Sequence, residues 1–339
     1  MSALRKLRIL IVDDSMMYRE VLAMGLSSDS HIEVVGKAVD PFDARDKILS
    51  LRPDVMICDV EMPKMNGIEF IRRLLPQHPL PVIVISTVSE AVFDAMNAGA
   101  VDFVTKPEIQ SAKSVEKFLM DIISKIKIAA NAKISRSNSI DTVSTSAGKI
   151  DTNKIIANGA STGGTEAIYK LLKGLPDGMP GILIVQHIPP VFSNMFAQRL
   201  NNQTLLNVKE ASTGDWLEPG KVLIAPGDQH MKIKKLGDKI RIETFQGEKV
   251  NGHCPSVDVL FESVAREAGS SAVGIMLTGM GYDGARGLLA MRRKGARTIG
   301  QDEQSSIVYG MPKVAFDIGA VEKQTSLQNI PQVLLAMLK

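Results

Sequence analysis

Cysteine is almost missing from this chain of 339 residues: there are two, Cys58 and Cys254, too far apart in sequence to suggest a disulfide framework or a thiolate metal site. Such scarcity suits a reducing, cytoplasmic setting. Aromatic residues make up only 4%, and none interleave with a basic cluster, which argues against a platform for stacking nucleic-acid bases. Charge of one sign is also lacking. The net charge of +3 is spread along the chain, so neither a nucleic-acid surface nor a membrane surface is expected. No stretch approaches the roughly eighteen apolar residues of a membrane span. The opening MSALRKLRILIVDDS holds only a short apolar run before two aspartates, too short for a signal segment.

What is present is ordinary globular material, 45% apolar and 23% charged, enough for about two domains with cores of their own. In the first half LRILIV, IEVVGKA, VMIC, PVIVIS and DFVT read as short buried strands. Helical patterns lie between them at Met16 to Leu26, Phe42 to Leu51, Gly67 to Leu74 and Glu90 to Ala98, with a fifth at Ser114 to Ile128. Five βα units in a row predict a parallel sheet with helices on both faces. Residues 129–151, rich in Ser, Asn and Thr, read as an exposed linker between domains at 1–128 and 152–339. Beyond it KIIANG, GILIVQH, KVLIAPG, KIRIET, AVGIMLTG and ARTIGQD are strand candidates. They predict a second α/β domain with a mostly parallel, doubly wound sheet and a hairpin or β-rich insertion at Lys221 to Thr244.

Ligands of open parallel sheets gather at the carboxyl edge. In the first half those strand ends carry Asp13 and Asp14, Asp59, Ser86 and Thr87, and Thr105 and Lys106. Clustered carboxylates repel one another unless a cation sits among them, and Mg²⁺ suits such an oxygen-rich set. A carboxylate beside that ion can attack a phosphoryl group, with Lys106 pairing with its oxygens and Ser86 bonding one of them. The bland alternative is that the aspartates cap the next helix and Lys106 is a solvated terminus. The runs LIVDDS, CDVEMPKMNG, VIST and DFVTKP resemble those of response-regulator receiver domains over roughly the first 125 residues. That resemblance implies Asp59 as phospho-acceptor, Mg²⁺ held by Asp13, Asp14 and Asp59 with the backbone of Glu61, and Ser86 and Lys106 as switch residues. A CheA-type histidine kinase is the implied phosphodonor.

In the second half Gly159, Ser161 and Gly163 stand in G-x-S-x-G spacing between a strand and a helix, the spacing of a nucleophile elbow. A turn of this composition also suits phosphate at a helix start. Of five histidines, His31 and His78 fall in connections of the first domain, His230 in a loop and His253 in NGHCPSVD; His187 alone follows directly on a buried strand. LTGMGYDGARG poses a harder question, because Gly279, Gly281 and Gly284 match the dinucleotide-binding spacing and Asp302 and Glu303 follow about twenty residues later. Asp283, just before the third glycine, would set negative charge against a pyrophosphate, whereas it suits a partner imidazole. The reading is therefore Ser161 as nucleophile, His187 as base and Asp283 as orienting acid, with Thr162 and Met280 as oxyanion or loop candidates. Their order, Ser, His, Asp, is not that of α/β-hydrolases. A cysteine nucleophile at Cys254 beside His253 lacks the strand-to-helix elbow.

GASTGGTEAI, VQHIPPVFSNMFAQRLN, APGDQHM, HCPSVDVLFESVA, LTGMGYDGARGLLAMRRKGA and QDEQSSIVYGMP resemble the catalytic domain of the CheB family of chemotaxis protein-glutamate methylesterases. That resemblance implies hydrolysis of γ-glutamyl methyl esters on the cytoplasmic helices of chemoreceptors, with release of methanol, and deamidation of certain receptor glutamines. It implies no cofactor for the esterase chemistry, a receiver that covers the active site until Asp59 is phosphorylated, and a protein that inserts into no membrane. Nothing demands more than a monomer. Tyr282 and Cys254 stand where the family pattern gives no expectation of a fixed residue. Two other classes stay open: a receiver driving a nucleotide-binding output domain, and a non-catalytic regulator.

Overall fold

The computed structural model describes residues 5–63, 65–87, 91–107, 111–132 and 150–339, and the chain separates into two compact units, residues 1–136 and 137–339. Most of the stretch read as a linker, 133–149, lies outside the described residues. No helix among the described residues is long and apolar enough to cross a membrane.

The first unit alternates strictly: β1 (Leu7–Val12), α1 (Met16–Ser27), β2 (Ile32–Ala38), α2 (Pro41–Leu51), β3 (Val55–Asp59), α3 (Gly67–Leu74), β4 (Val82–Ser86), α4 (Ala91–Asn97), β5 (Asp102–Thr105) and α5 (Ala112–Ala129). Its sheet is parallel throughout, in the order β2-β1-β3-β4-β5. Every residue of β3 and β4 is buried, which is why both read as unbroken apolar runs rather than alternating ones. Helix starts are set locally. Asp40 accepts from the amides of Phe42 and Asp43 ahead of α2, with Pro41 in the first turn, and Asn66 accepts from Glu69 ahead of α3.

The second unit runs β6 (Ile155–Ala160), α6 (Gly164–Lys173), β7 (Gly181–Gln186), α7 (Phe192–Gln203), β8 (Asn207–Glu210), β9 (Trp216–Leu217), β10 (Lys221–Ile224), β11 (His230–Leu236) and β12 (Lys239–Phe245). It continues with α8 (Val257–Glu267), β13 (Ala272–Met276), α9 (Ala285–Arg293), β14 (Arg297–Gln301), α10 (Met311–Asp317), β15 (Lys323–Thr325) and α11 (Ile330–Met337). Seven strands form a parallel sheet in the order β15-β14-β13-β6-β7-β10-β8. Ala157, Leu183, Val185 and Leu223 pack in one core with Val257, Leu260 and Phe261 of α8 and Leu288 and Met291 of α9. Ile156, Ile182, Ile184 and Val222 alternate with them and belong to the opposite face.

Of the span Lys221 to Thr244, Lys221–Ile224 is not part of the insertion, and the rest holds the hairpin of β11 and β12. β10 lies inside the parallel sheet, and the antiparallel part consists of β11 and β12 with β9 beside β12. His230, read as a loop residue, is the buried first residue of β11. Strands β8, β9 and β15 were absent from the sequence reading because two to four residues show no period.

Candidate functional site

In the first unit the sheet order changes direction between β1 and β3, and this is where the acidic strand ends meet. Ligand oxygens of Asp13, Asp14 and Asp59 all lie within 4.8 Å of one another. Lys106, which follows β5, reaches both buried carboxylates, at 2.6 Å from Asp59 and 2.9 Å from Asp13, and its ammonium stands 4.6 Å over the ring of Tyr18. Glu61 donates its backbone N–H to Asp59 Oδ1 at 3.2 Å, and Ser86 is buried at the end of β4. Burial pushes Asp59 up to about 6, against the hydrogen bond and charge of Lys106, with Asp13 adding to the rise. One ammonium among three carboxylates leaves negative charge in excess, and an all-oxygen donor set of this size fits a hard divalent cation.

In the second unit three neighbouring strands, β13, β6 and β7, deliver the other candidates to one edge. Ser161 follows β6 and His187 follows β7. The last residues of these strands, Ala160 and Gln186, are paired, and the His187 amide donates to Ala160 O at 3.2 Å. Gln186 clamps the two turns, its Nε2 donating to Ser161 O at 2.9 Å and to His187 O at 3.2 Å. The turn after β6 is closed by Gly164 N–H donating to Ser161 O at 2.7 Å, and α6 begins there.

His187 Nε2 meets Asp283 Oδ2 at 2.9 Å, so the carboxylate accepts the Nε2 proton and Nδ1 keeps its lone pair. That Nδ1 is buried without a hydrogen-bond partner. Among the described residues no hydrogen bond joins the Ser161 hydroxyl to His187. Asp283 itself is saturated. Besides His187 it accepts from Asn251 Nδ2 at 2.8 Å, Ser256 Oγ at 2.7 Å and the amide of Val257 at 2.7 Å, the last at the start of α8. Burial works to raise Asp283, but the bond and charge of His187, then Asn251 and Ser256, outweigh it and hold the carboxyl well below its usual range. The amide end of α8 acts in the same direction.

The glycine-rich turn has a steric purpose. A Cβ on Gly279 would stand 2.4 Å from Met311 Sδ and 2.8 Å from Ser161 Cβ, and Gly284 takes φ of +86° at the start of α9. Only glycine lets this loop pass so close to the serine turn and then present Asp283. The carboxylate, occupied by α8 and His187, lies where a phosphate-binding turn would need none. Met280 and Tyr282 stay largely exposed at the loop tip, Thr162 is buried, and Asp302 is engaged in its own turn, accepting from Ser305 N–H at 2.9 Å after β14.

Several supporting residues escaped the sequence reading. Thr278 Oγ lies 3.0 Å from Thr162 O and accepts from Val308 N–H at 2.9 Å, tying the serine turn to the acid strand and to the segment before α10. His253 lies flat on His187, with ring centroids 3.7 Å apart and planes 7° from parallel. Asn251, Ser256, Thr278 and Gln186 are common polar residues, and no spacing marks them. Burial, followed by the charge of Asp228, raises the Cys254 thiol, which works against the cysteine alternative.

A family profile described as CheB methylesterase matches residues 156–334, and one for the response regulator receiver domain matches residues 9–116. A protein named protein-glutamate methylesterase/protein-glutamine glutaminase 2, from Syntrophomonas wolfei, is 55% identical over 336 residues, covering 99% of this chain and 98% of that one. A protein-glutamate methylesterase/protein-glutamine glutaminase from Syntrophotalea carbinolica is 46% identical over 346 residues, 98% of each. The crystal structure of the Thermotoga maritima CheB methylesterase catalytic domain is 34% identical with a TM-score of 0.53, covering 54% of this chain and 98% of that one. With its C-terminal unit matched by the family profile and its whole length matched by relatives of that name, the chain belongs to the CheB methylesterase family, with a response-regulator receiver domain ahead of the catalytic one.

Proposed function

We propose that this protein is a phosphorylation-activated esterase that hydrolyses glutamate γ-methyl esters on the cytoplasmic helices of chemoreceptors, releasing methanol, and that it deamidates certain receptor glutamines. The observation that carries the reading is the His187–Asp283 pair, whose free, buried Nδ1 stands at the strand end beside Ser161.

Ser161 Oγ attacks the ester carbonyl carbon while His187 Nδ1 takes its proton. The oxyanion that forms is met by backbone amides of the serine turn and the glycine loop, with Thr162 and Met280 the candidates. The C–O bond to methanol then breaks, and the His187 proton goes to the departing methoxide. Water attacks the acyl-enzyme in the same way, giving glutamate and free Ser161. With a glutamine side chain the same steps release ammonia. Asp283 keeps His187 in the Nε2–H form and stabilises the imidazolium of each transition state. Hydroxyl-to-imidazole bonds often tighten only when substrate binds, which accords with the unbonded Ser161 hydroxyl.

In the receiver Asp59 accepts the phosphoryl group from a CheA-type histidine kinase, and phosphorylation raises esterase activity. Asp13, Asp14, Asp59 and the Glu61 carbonyl would hold Mg²⁺, which when bound neutralises phosphoryl charge. Lys106 pairs with the phosphoryl oxygens and Ser86 donates to one of them. Such a protein works in the cytoplasm, where the receptor helices and the kinase are.

The test is methanol release from methylated receptor fragments by the full chain, with and without a small phosphodonor and Mg²⁺. Release that needs Ser161, and that rises with phosphodonor only while Asp59 is present, is the expected result. No release from fragments shown to be methylated overturns the reading.

A further inference from the structure

We infer that His253 is a positioning residue for His187: its ring lies against the base and fixes the plane in which Nδ1 is presented. The inference rests on the esterase reading and adds a part to that same centre. A hydrogen bond at Nε2 alone locates one atom of His187 and leaves the ring free to turn about the bond that carries it. A parallel ring at 3.7 Å removes that freedom and covers one face of the base. The Nδ1 so oriented is buried and has no hydrogen-bond partner, which leaves its lone pair for the serine hydroxyl.

His253 is itself held firmly. It lies in the connection between β12 and α8, where Val250 and His253 exchange backbone hydrogen bonds at 3.0 and 2.9 Å. Asn251, in the same turn, donates to Asp283. At the far end Ser256 N–H donates to His230 Nδ1 at 3.2 Å, while His230 donates its Nε2–H to Glu248 O at 2.9 Å. Buried His230 thus ties both ends of the connection to β11, and Asn251, His253 and Ser256 reach His187 and Asp283 from one rigid arm.

The electrostatics agree with a role in position rather than in proton transfer. Burial, then the charge of His187, lowers His253 to about 4, with Asp283 opposing and Lys249 adding to the fall. A neutral ring therefore faces the imidazolium that forms at His187 during turnover, and the stack never carries two charges at neutral pH. Among the described residues no carboxylate is hydrogen-bonded to the His253 ring, so it lacks the acid that would make it a base.

The experiment compares the full chain with His253→Ala, His253→Phe and Ser161→Ala variants, reading kcat and KM for methanol release across pH together with the His187 ring tautomer by nitrogen-15 NMR. His253→Ala is expected to lower kcat by about tenfold or more, on the scale that misplacement of a catalytic group costs, with KM changed less than about twofold. Its His187 should lose the pure Nε2–H form. His253→Phe restores a flat ring without a proton, and is expected to recover kcat to within about threefold and to restore the tautomer. A His253→Ala variant with wild-type kcat, pH profile and tautomer overturns the inference. So does a His253→Phe variant as impaired as His253→Ala, because the histidine's own proton would then be required. Wild-type release that survives Ser161→Ala would sink the serine mechanism of the esterase reading instead, and the NMR comparison still tests the stack.

Discussion

Two buried aspartates, Asp59 in the receiver and Asp283 in the catalytic unit, stand at the carboxyl edges of parallel sheets and shift in opposite directions. Both lose hydration, which alone would raise them. Asp59 has the Lys106 ammonium and one backbone amide as donors, shares that ammonium with Asp13, and ends high, at about 6. Asp283 has an imidazole, an amide side chain, a hydroxyl and the amide end of a helix, and ends low. Burial raises both, and the sign turns on whether the donors outweigh it. A carboxylate left short of donors is ready for a cation and a phosphoryl group, whereas a saturated one is committed to holding its histidine.

The largest break in this comparison comes from removing the proposed serine nucleophile of the second unit. Ser161→Ala should lower methanol release by about 10⁴-fold or more, on the scale of serine hydrolases that lose theirs, as read from initial rates on methylated fragments. Next is the pair of aspartates itself. Asp283→Asn, which leaves the shape but disturbs the tautomer, should cost about 10⁴-fold in kcat. Asp59→Asn should instead abolish the rise in rate that a phosphodonor produces. Equal effects of the two substitutions on unstimulated turnover would erase the distinction between switch and catalyst.

Removing one donor from the saturated carboxylate probes the middle of the scale. Asn251→Ala takes a bond from Asp283 and another from Asp258, and should destabilise the chain by about 1–3 kcal/mol, the cost of leaving buried acceptors short of partners. A shift in the denaturant midpoint measures it, and an unchanged midpoint would mean that water replaces the amide.

The last effect is confined to acid pH. His253 titrates near 4 when folded and near 6.5 when unfolded, so between those values the unfolded chain binds more protons. Its contribution is full above about pH 6.5 and is lost as pH falls toward 4. His253→Phe should flatten the acid side of the stability curve by about one proton over that window, as followed by chemical denaturation at stepped pH. An unaltered slope would place the His253 ring in water.

Much of this molecule was legible beforehand, for reasons that differ by element. Receiver strands β1, β3 and β4 announce themselves as unbroken apolar runs because both faces of their sheet are covered. The acidic ends of β1 and β3 stand out because charge directly after such a run has few structural uses. The three-stranded part around β9 was blurred, since Trp216–Leu217 is too short to show a period and β10 reads like its neighbours although it belongs to the larger sheet. Ser161, His187 and Asp283 were chosen one strand end at a time. Asn251, Ser256 and His253 had no such signature.

By itself the sequence determined two α/β units, the strand ends on which chemistry would fall, and the residue types available there, because apolar period and helix caps act over a few residues. Only the tertiary structure decided that β13, β6 and β7 lie side by side and that Asp283 takes its place at the start of α8. It also decided that Nε2 of His187 faces the acid and that a second histidine covers the first. The His187–Asp283 bond alone joins residues 96 positions apart. These contacts depend on strand order and on how one connection is pinned between β12 and α8, which no local pattern encodes.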